Sequence, residues 1–199
     1  QDNIGMQQRI GIDTSLVTAE EVGEIAPMLS VQRDETIAYE PYSGYADPYL
    51  VTTGYATRAR EMGAQVKMGS LVTGIEIKGN KVAAVITATE RIETPIAVIA
   101  NGPWAPKFLQ NIGIEAPLQT IRHQVVMVKR PDGIPDHPIV GDVVNGLSAR
   151  PEIGNLTLVG VGEDEQADPD DYNRSIDMPM AERTLKSLTT RIRGMDQAQ

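Results

Sequence analysis

The stretch "VIANGPWAPKFL", Val98 to Leu109, decides how the rest of the chain is read. An apolar run stops at Asn101-Gly102-Pro103, and Trp104, the one tryptophan, opens a helix. In that helix Trp104, Phe108 and Ile112 recur every four positions, and Gly113 closes it. Just upstream, Ile96 to Ala100 is apolar at every position, as in a central strand buried on both faces. A helix start gathers unpaired N–H groups, and Asn and Gly let a ligand approach the backbone, so the turn suits an anion such as a phosphate. The same residue types also make a routine strand-to-helix turn, and taken alone they leave both readings open.

Working outward, residues 71–78 and 81–88 are β-rich runs joined at Gly79-Asn80, which reads as a hairpin. Arg91 to Thr94 and then Ile96 to Ala100 complete a meander. Before it, Asp47-Pro48 combines an N-cap acid with proline at the first helical position. Val51, Tyr55, Ala59 and Met62 then share one helix face up to a stop at Gly63, and Gln65 to Met68 reads as a short strand. Thr18-Ala19-Glu20-Glu21 fits a capping box, so a short helix ends before Pro27, and residues 31–46 read as loop and short strand. On the far side, Pro117 to Lys129 and Leu156 to Gly162 read as strands, with Pro138 to Val144 a weaker one. Residues 163–175 form an acidic loop, and a last helix from Asp177-Pro179 turns Leu185, Leu188 and Ile192 inward. The expected fold class is α+β.

Composition excludes several functions. The 199 residues carry no cysteine, which removes disulfides, thiolate metal sites and a cysteine nucleophile. A net charge of −9 argues against a phosphate-binding surface for nucleic acid. No apolar run approaches the ~20 residues of a membrane span. The start, "QDNIGMQQRIG", is no signal peptide, and the chain reads as cytoplasmic. It also lacks an initiator methionine, which suggests a piece of something longer. His123 and His137 are the two histidines and have no acidic ligand pattern beside them, so a metal site is not expected. G-x-S-x-G is absent, which disfavours a hydrolase. Gly160-Val161-Gly162 lacks a third glycine and runs into acids, so it is no dinucleotide fingerprint. The acids Glu163, Asp164, Glu165, Asp168, Asp170 and Asp171 lack calcium-loop spacing and read as a solvated loop. In "TIRHQVVMV", Ile121, His123, Val125 and Met127 share one strand face, while Arg122, Gln124 and Val126 share the other. By residue type alone, His123 reads first as a hydrogen-bonded structural histidine.

The order of these features carries more than each alone. "GYADPYLVTTGYATRAREMGAQV", a β-meander and "IANGPWAPKFLQNIGIEAPLQTIRHQVVMV" together resemble the FAD-dependent amine and amino-acid oxidoreductases. That group includes D-amino-acid oxidase, glycine oxidase, sarcosine oxidase and dimethylglycine dehydrogenase. The resemblance runs from about Gly44 to Gly162, and it implies an internal piece of a longer enzyme. Residues 1–46 would start the substrate domain. Residues 47–116 would be part of the FAD-binding domain, with helix, meander and ANGPW turn. Residues 117–199 would give the substrate-domain sheet and C-terminal helix. It implies that Val66 meets the adenine of FAD through its backbone, and that Ala100, Asn101 and Gly102 pass close to the ADP part. Trp104, in the helix opening that follows, is a further cofactor-binding residue that the resemblance implies. Arg122, His123 and Gln124 match a strand whose side chains lie near the flavin, with His123 as candidate catalytic residue and Arg122 and Gln124 as substrate contacts. Relatives usually carry Ala-Gly or Ala-Ala-Gly at the turn, so Asn101 departs from the pattern.

The implied activity is oxidation of a C–N bond in an amine or amino acid of the sarcosine, glycine or dimethylglycine kind. FAD is the implied cofactor, and the rest of the parent chain the implied partner. The glycine-rich pyrophosphate loop is expected before Gln1 and a further glycine-rich segment after Gln199, so the piece alone should be inactive and should not retain FAD. A non-catalytic binding domain of the same architecture is the competing reading, and an upstream nucleotide fingerprint would separate the two.

Overall fold

The computed structural model describes residues 2–162 and 165–199, so Glu163 and Asp164 of the acidic loop lie outside the described residues. In chain order the elements are helix α1 (Asp2–Arg9), strand β1 (Ser15–Val17), helix α2 (Ala19–Ile25), strand β2 (Ile37–Tyr39) and helix α3 (Pro48–Glu61). Strands β3 (Val72–Lys78), β4 (Lys81–Thr87) and β5 (Arg91–Glu93) follow, then helix α4 (Ala105–Asn111). The remainder is β6 (Ile121–Arg122), β7 (Val126–Lys129), β8 (Val140–Asp142), β9 (Leu147–Glu152), β10 (Leu156–Val161), β11 (Glu165–Gln166) and helix α5 (Met178–Arg191). Helices and antiparallel sheets are mixed along the chain, so the fold is α+β. Two units divide it: Gln1–Tyr45, His123–Asp164 and Asn173–Gln199 form the first, and Ala46–Arg122 with Glu165–Tyr172 the second.

The first unit is organised by an antiparallel sheet of order β7-β10-β9-β8. Alternation along the strands gives it two different faces. The inner face places Val128, Thr157, Val159, Ala149, Leu147 and Val140 in the core. Helix α5 lays Leu188 against it and the residue that ends the helix, Ile192, packs there too, both fully buried, with Leu185 partly buried beside them. Asp177 caps α5 by accepting the Met180 N–H, and Pro179 occupies the first turn, as its sequence predicts. Two polar groups are buried with this face. His137 Nδ1 bonds the Pro138 carbonyl at 2.7 Å and its Nε2 meets Thr157 Oγ1 at 3.0 Å. Arg130 donates to Thr157 Oγ1, the Leu156 carbonyl and Asn155 Oδ1, and pairs with Asp136.

A second fastening joins α5 to the N-terminal segment. Arg191 binds both oxygens of Glu35, one oxygen of Asp142 and the Ser30 carbonyl. Arg191 bonding holds the Glu35 carboxyl below its ordinary range. Burial alone would raise the Asp142 carboxyl, but hydrogen bonds from Asn145 and Arg191 outweigh it and lower it. The α2 capping box forms as expected: Glu21 N–H reaches Thr18 Oγ1 at 3.2 Å, and Thr18 N–H reaches Glu21 Oε2 at 2.7 Å.

The second unit holds the three-stranded meander β3-β4-β5, helices α3 and α4, and the β6-β11 pair. The hairpin turns at Gly79, whose φ of 61° needs glycine. Asp47 caps α3 through the Leu50 N–H at 2.8 Å.

Four sequence expectations need correction. Ile96 to Ala100 joins no ladder among the described residues, and Ile96 and Val98 are 74% and 88% exposed. A strand is buried on both faces only when neighbours flank it, and the described residues supply none here. Gln65 to Met68 is unpaired for the same reason. The run Pro117 to Lys129 is two short strands with a break at 123–125 rather than one, because β6 pairs with β11 and β7 with β10. The acidic loop opens with β11, and strand β9, absent from the sequence reading, lies between β10 and β8.

Candidate functional site

The outer face of the four-stranded sheet is open. Met127 is 50% exposed and Val125 49%, and Leu158, Arg150 and Glu152 rise beside them. His123 comes over this face because strand β10 carries no side chain at Gly160. A Cβ placed there would lie 3.2 Å from His123 Nε2 and 3.3 Å from Val125 Cγ1. The imidazole is exposed and belongs to the first unit. Gln124 turns to α5 instead, donating from Nε2 to the Asp177 carbonyl at 3.3 Å and accepting the Asp177 N–H at 3.0 Å. It therefore fixes the start of that helix. Arg122, in β6 of the second unit, bonds Glu165 Oε2 at 3.0 Å across the β6-β11 pair.

Val66, Ala100, Asn101, Gly102 and Trp104 all fall in the second unit. All five are exposed. Gly102 has a φ of 54°, and nothing lies within 4 Å of where its Cβ would be. The turn is thus open backbone with one small polar side chain, and it runs directly into the 3-10 turn Gly102–Trp104 and α4. Residues of this kind fit a flat cofactor lying against the main chain, since no bulky group blocks the approach. Trp104 is held: its Nε1–H donates to Asp170 Oδ1 at 2.8 Å, and Lys107 Nζ binds Asp170 Oδ2 at 3.1 Å. The Trp104 and Lys107 bonds hold the Asp170 carboxyl below its usual range, while Asp170 raises Lys107. Behind the turn, Pro103, Pro106, Lys107 and Gln110 line an open groove of ≈ 740 Å³ together with Gln119 and Asp168.

Sequence reasoning picked neither Asp170 nor the Tyr45–Arg150 pair. Asp170 sits in an acidic run with no mark that separates it from its neighbours, 66 residues from Trp104. Arg150 stacks its guanidinium 4.4 Å from the centre of the Tyr45 ring, and the strand that carries it was not visible in the sequence. Among the described residues no group of three or more His, Asp or Glu could hold a metal ion. Among the described residues no helix is long and apolar enough to cross a membrane.

Comparison with known proteins places the chain in a class. A family model described as FAD dependent oxidoreductase matches residues 1–198, and the chain belongs to that family. Mitochondrial sarcosine dehydrogenase of Mus musculus is 32% identical over 137 residues, which is 66% of this chain and 15% of that protein. L-proline dehydrogenase from P. horikoshii superposes with a TM-score of 0.84 at 26% identity, covering 98% of this chain and 52% of that one. Glycine oxidase from Bacillus cereus superposes at 0.70 with 23% identity over the whole of this chain and 52% of its own, a likeness of fold. The chain therefore spans about half the length of these solved relatives and a smaller share of the curated one.

Proposed function

We propose that this chain is the middle part of a longer FAD-dependent enzyme that oxidises a C–N bond of an amine or amino acid, and that it is inactive alone. The observation that carries this reading is the family match along residues 1–198, joined to the bare, open turn at Ala100 to Gly102. Sarcosine, L-proline and glycine, named in the relatives, are the first substrates to try. The second unit would supply FAD contacts through Val66, Ala100, Asn101 and Gly102, and the first unit the substrate face. A cofactor held there would supply the acceptor for one hydride equivalent, two electrons with one proton, from the carbon bonded to the amine nitrogen. His123 stands over an open sheet face and can take a proton from a substrate ammonium, leaving the amine neutral. Gln124 acts through α5 by fixing where the strand break falls. Asp170 keeps the Trp104 indole oriented at the start of α4. Cytoplasmic placement remains part of the proposal, to be tested by fractionation, since the mouse relative is mitochondrial by name.

The test is anaerobic mixing of the purified parent protein with sarcosine, L-proline and glycine while the flavin band is followed. Bleaching by at least one of them is expected. A parent protein that carries no flavin, or whose flavin stays oxidised with every amine and amino acid tried, would instead favour a non-catalytic domain of the same architecture.

A further inference from the structure

The ≈ 740 Å³ groove of the second unit carries an excess of negative charge. Helix α4 forms one wall with Pro106, Lys107 and Gln110, and residues 114–120 with the segment Gln166 to Pro169 form the rest. A smaller hollow of ≈ 290 Å³ beside Gly102 and Ile121 shares Pro103, Leu118 and Thr120 with it, so the two adjoin. All of these residues belong to one unit. The walls are tied together before any ligand arrives. Thr120 Oγ1 donates to the Pro103 carbonyl at 2.7 Å, and the Ala167 N–H donates to the Thr120 carbonyl at 3.1 Å.

The charges at the groove do not balance. Lys107 is the one cation of the lining; its Nζ binds Asp170 at 3.1 Å and feels the charge of Asp168 as well. Asp168 accepts the Asp170 N–H on Oδ1 at 2.9 Å, and its other oxygen has no hydrogen bond among the described residues. Glu115 has neither a hydrogen bond nor an ion pair among them. Three carboxylates against one ammonium leave the groove acidic. Gln110, Gln119 and Gln166 stand exposed around it, and their amides have no partner among the described residues. A primary amide offers a donor and an acceptor together, so it can bond the main chain of a peptide. Pro103, Pro106 and Pro169 add apolar surface and no N–H that would compete.

We infer that this groove docks an extended segment of a partner protein that carries lysine or arginine. Its cations meet Glu115 and Asp168, and its main chain meets the glutamine amides. Obligate interfaces are apolar, like a core cut in half, whereas a groove with four charged groups suits a partner that binds and leaves. Complementary charge of this kind sets the rate of encounter and the choice of partner more than raw affinity. The inference goes beyond the oxidoreductase reading and does not rest on it.

The experiment is fluorescence anisotropy of a labelled peptide, acetyl-Lys-Ala-Lys-Ala-Lys-amide, titrated with the purified parent protein. Binding is expected at low salt. Glu115→Gln combined with Asp168→Asn should weaken it about tenfold, as the loss of two exposed ion pairs would. Gln110→Lys, which adds a cation on the exposed side of α4 and keeps both carboxylates, should weaken it by a similar factor. That variant also serves if the double variant does not fold. Asp13→Asn combined with Glu24→Gln removes the same charge from the first unit and should leave binding within about twofold of the wild type. Spermidine carries the charge of the peptide without its backbone, and should compete about tenfold more weakly than the unlabelled peptide. Absence of binding by the wild type, or equal binding by the wild type and the groove variants, would overturn the docking site. An equal loss in the Asp13–Glu24 control, or spermidine as strong as the peptide, would overturn it too, since the protein would then be reading charge alone.

Discussion

Gly160 is the single residue on which the candidate site turns. An alanine there would press on His123 Nε2 at 3.2 Å and on Val125 at 3.3 Å, closer than ordinary contact, so the ring must give by a few tenths of an ångström. In the proposed parent enzyme, with His123 in the proposed role, Gly160→Ala is expected to lower kcat on the order of tenfold, because small misplacements of a reacting group are costly. Thermal melting should move little, since the strand keeps its ladder; an unchanged kcat would remove His123 from the chemistry. The other histidine works differently. Burial, with the Arg130 charge nearby, pushes His137 below its ordinary value of 6.5. The unfolded chain then takes up a proton near pH 6.5 that the folded one refuses, so His137 favours the fold above that pH. Its contribution is lost as pH falls through the window below 6.5. His137→Gln should flatten the stability slope of urea unfolding between about pH 7 and 5. Only the family resemblance singles out His123; by residue type the two histidines are alike, because what distinguishes them is a glycine 37 residues away for one and a buried threonine for the other.

At the scale of elements, Arg191 is the clasp between α5, strand β8 and the segment that carries Ser30 and Glu35. Arg191→Met would leave the Asp142 carboxylate, whose side chain is 7% exposed, without its cation. A loss of about 3–5 kcal/mol in unfolding free energy is expected, the usual cost of orphaning a buried charge. A loss under 1 kcal/mol would mean that water already screens the group. Helix starts were legible because their causes are local. Thr18 with Glu21, Asp47 with Pro48, and Asp177 with Pro179 each bond within three residues of themselves. Strand partners are not local, and there the reading slipped. Ile96 to Ala100 has the composition of a central strand, yet pairing depends on neighbours that composition does not reveal. Strand β9 escaped because Pro151 argues against a strand, but β8 pairs only with Leu147 to Ala149. The proline therefore lies on a part of β9 that has a neighbour on one side alone.

For the whole molecule, the second unit is the less self-sufficient of the two. Helix α3 shows Leu50, Tyr55 and Met62 at 67–77% exposure, and Ile96, Val98 and Met68 stand exposed in the same unit. Apolar surface of this extent marks a place that another surface covers, and in the proposed parent enzyme the remaining FAD domain would cover it. The 199-residue chain expressed alone should bind a hydrophobic dye such as ANS and leave a desalting column without flavin. The parent protein should bind far less dye and emerge yellow. Dye binding equal in the two would place the covering surface outside the parent chain. The family itself was legible from the order of small motifs between Gly44 and Gly162. The open sheet face was not, since it is assembled from Tyr45, His123, Arg150 and Gly160, which only the sheet register brings onto one side.

The pairing of Tyr45 with Pro151 also bears on the edge of the sheet. Proline has no N–H to offer, and its carbonyl is taken by the tyrosine hydroxyl. Glu152 adds a charge at the next position. The uncovered half of β9 therefore offers an incoming strand neither donor nor free acceptor at Pro151, and the sheet is sealed there against growth into fibrils or edge-to-edge dimers.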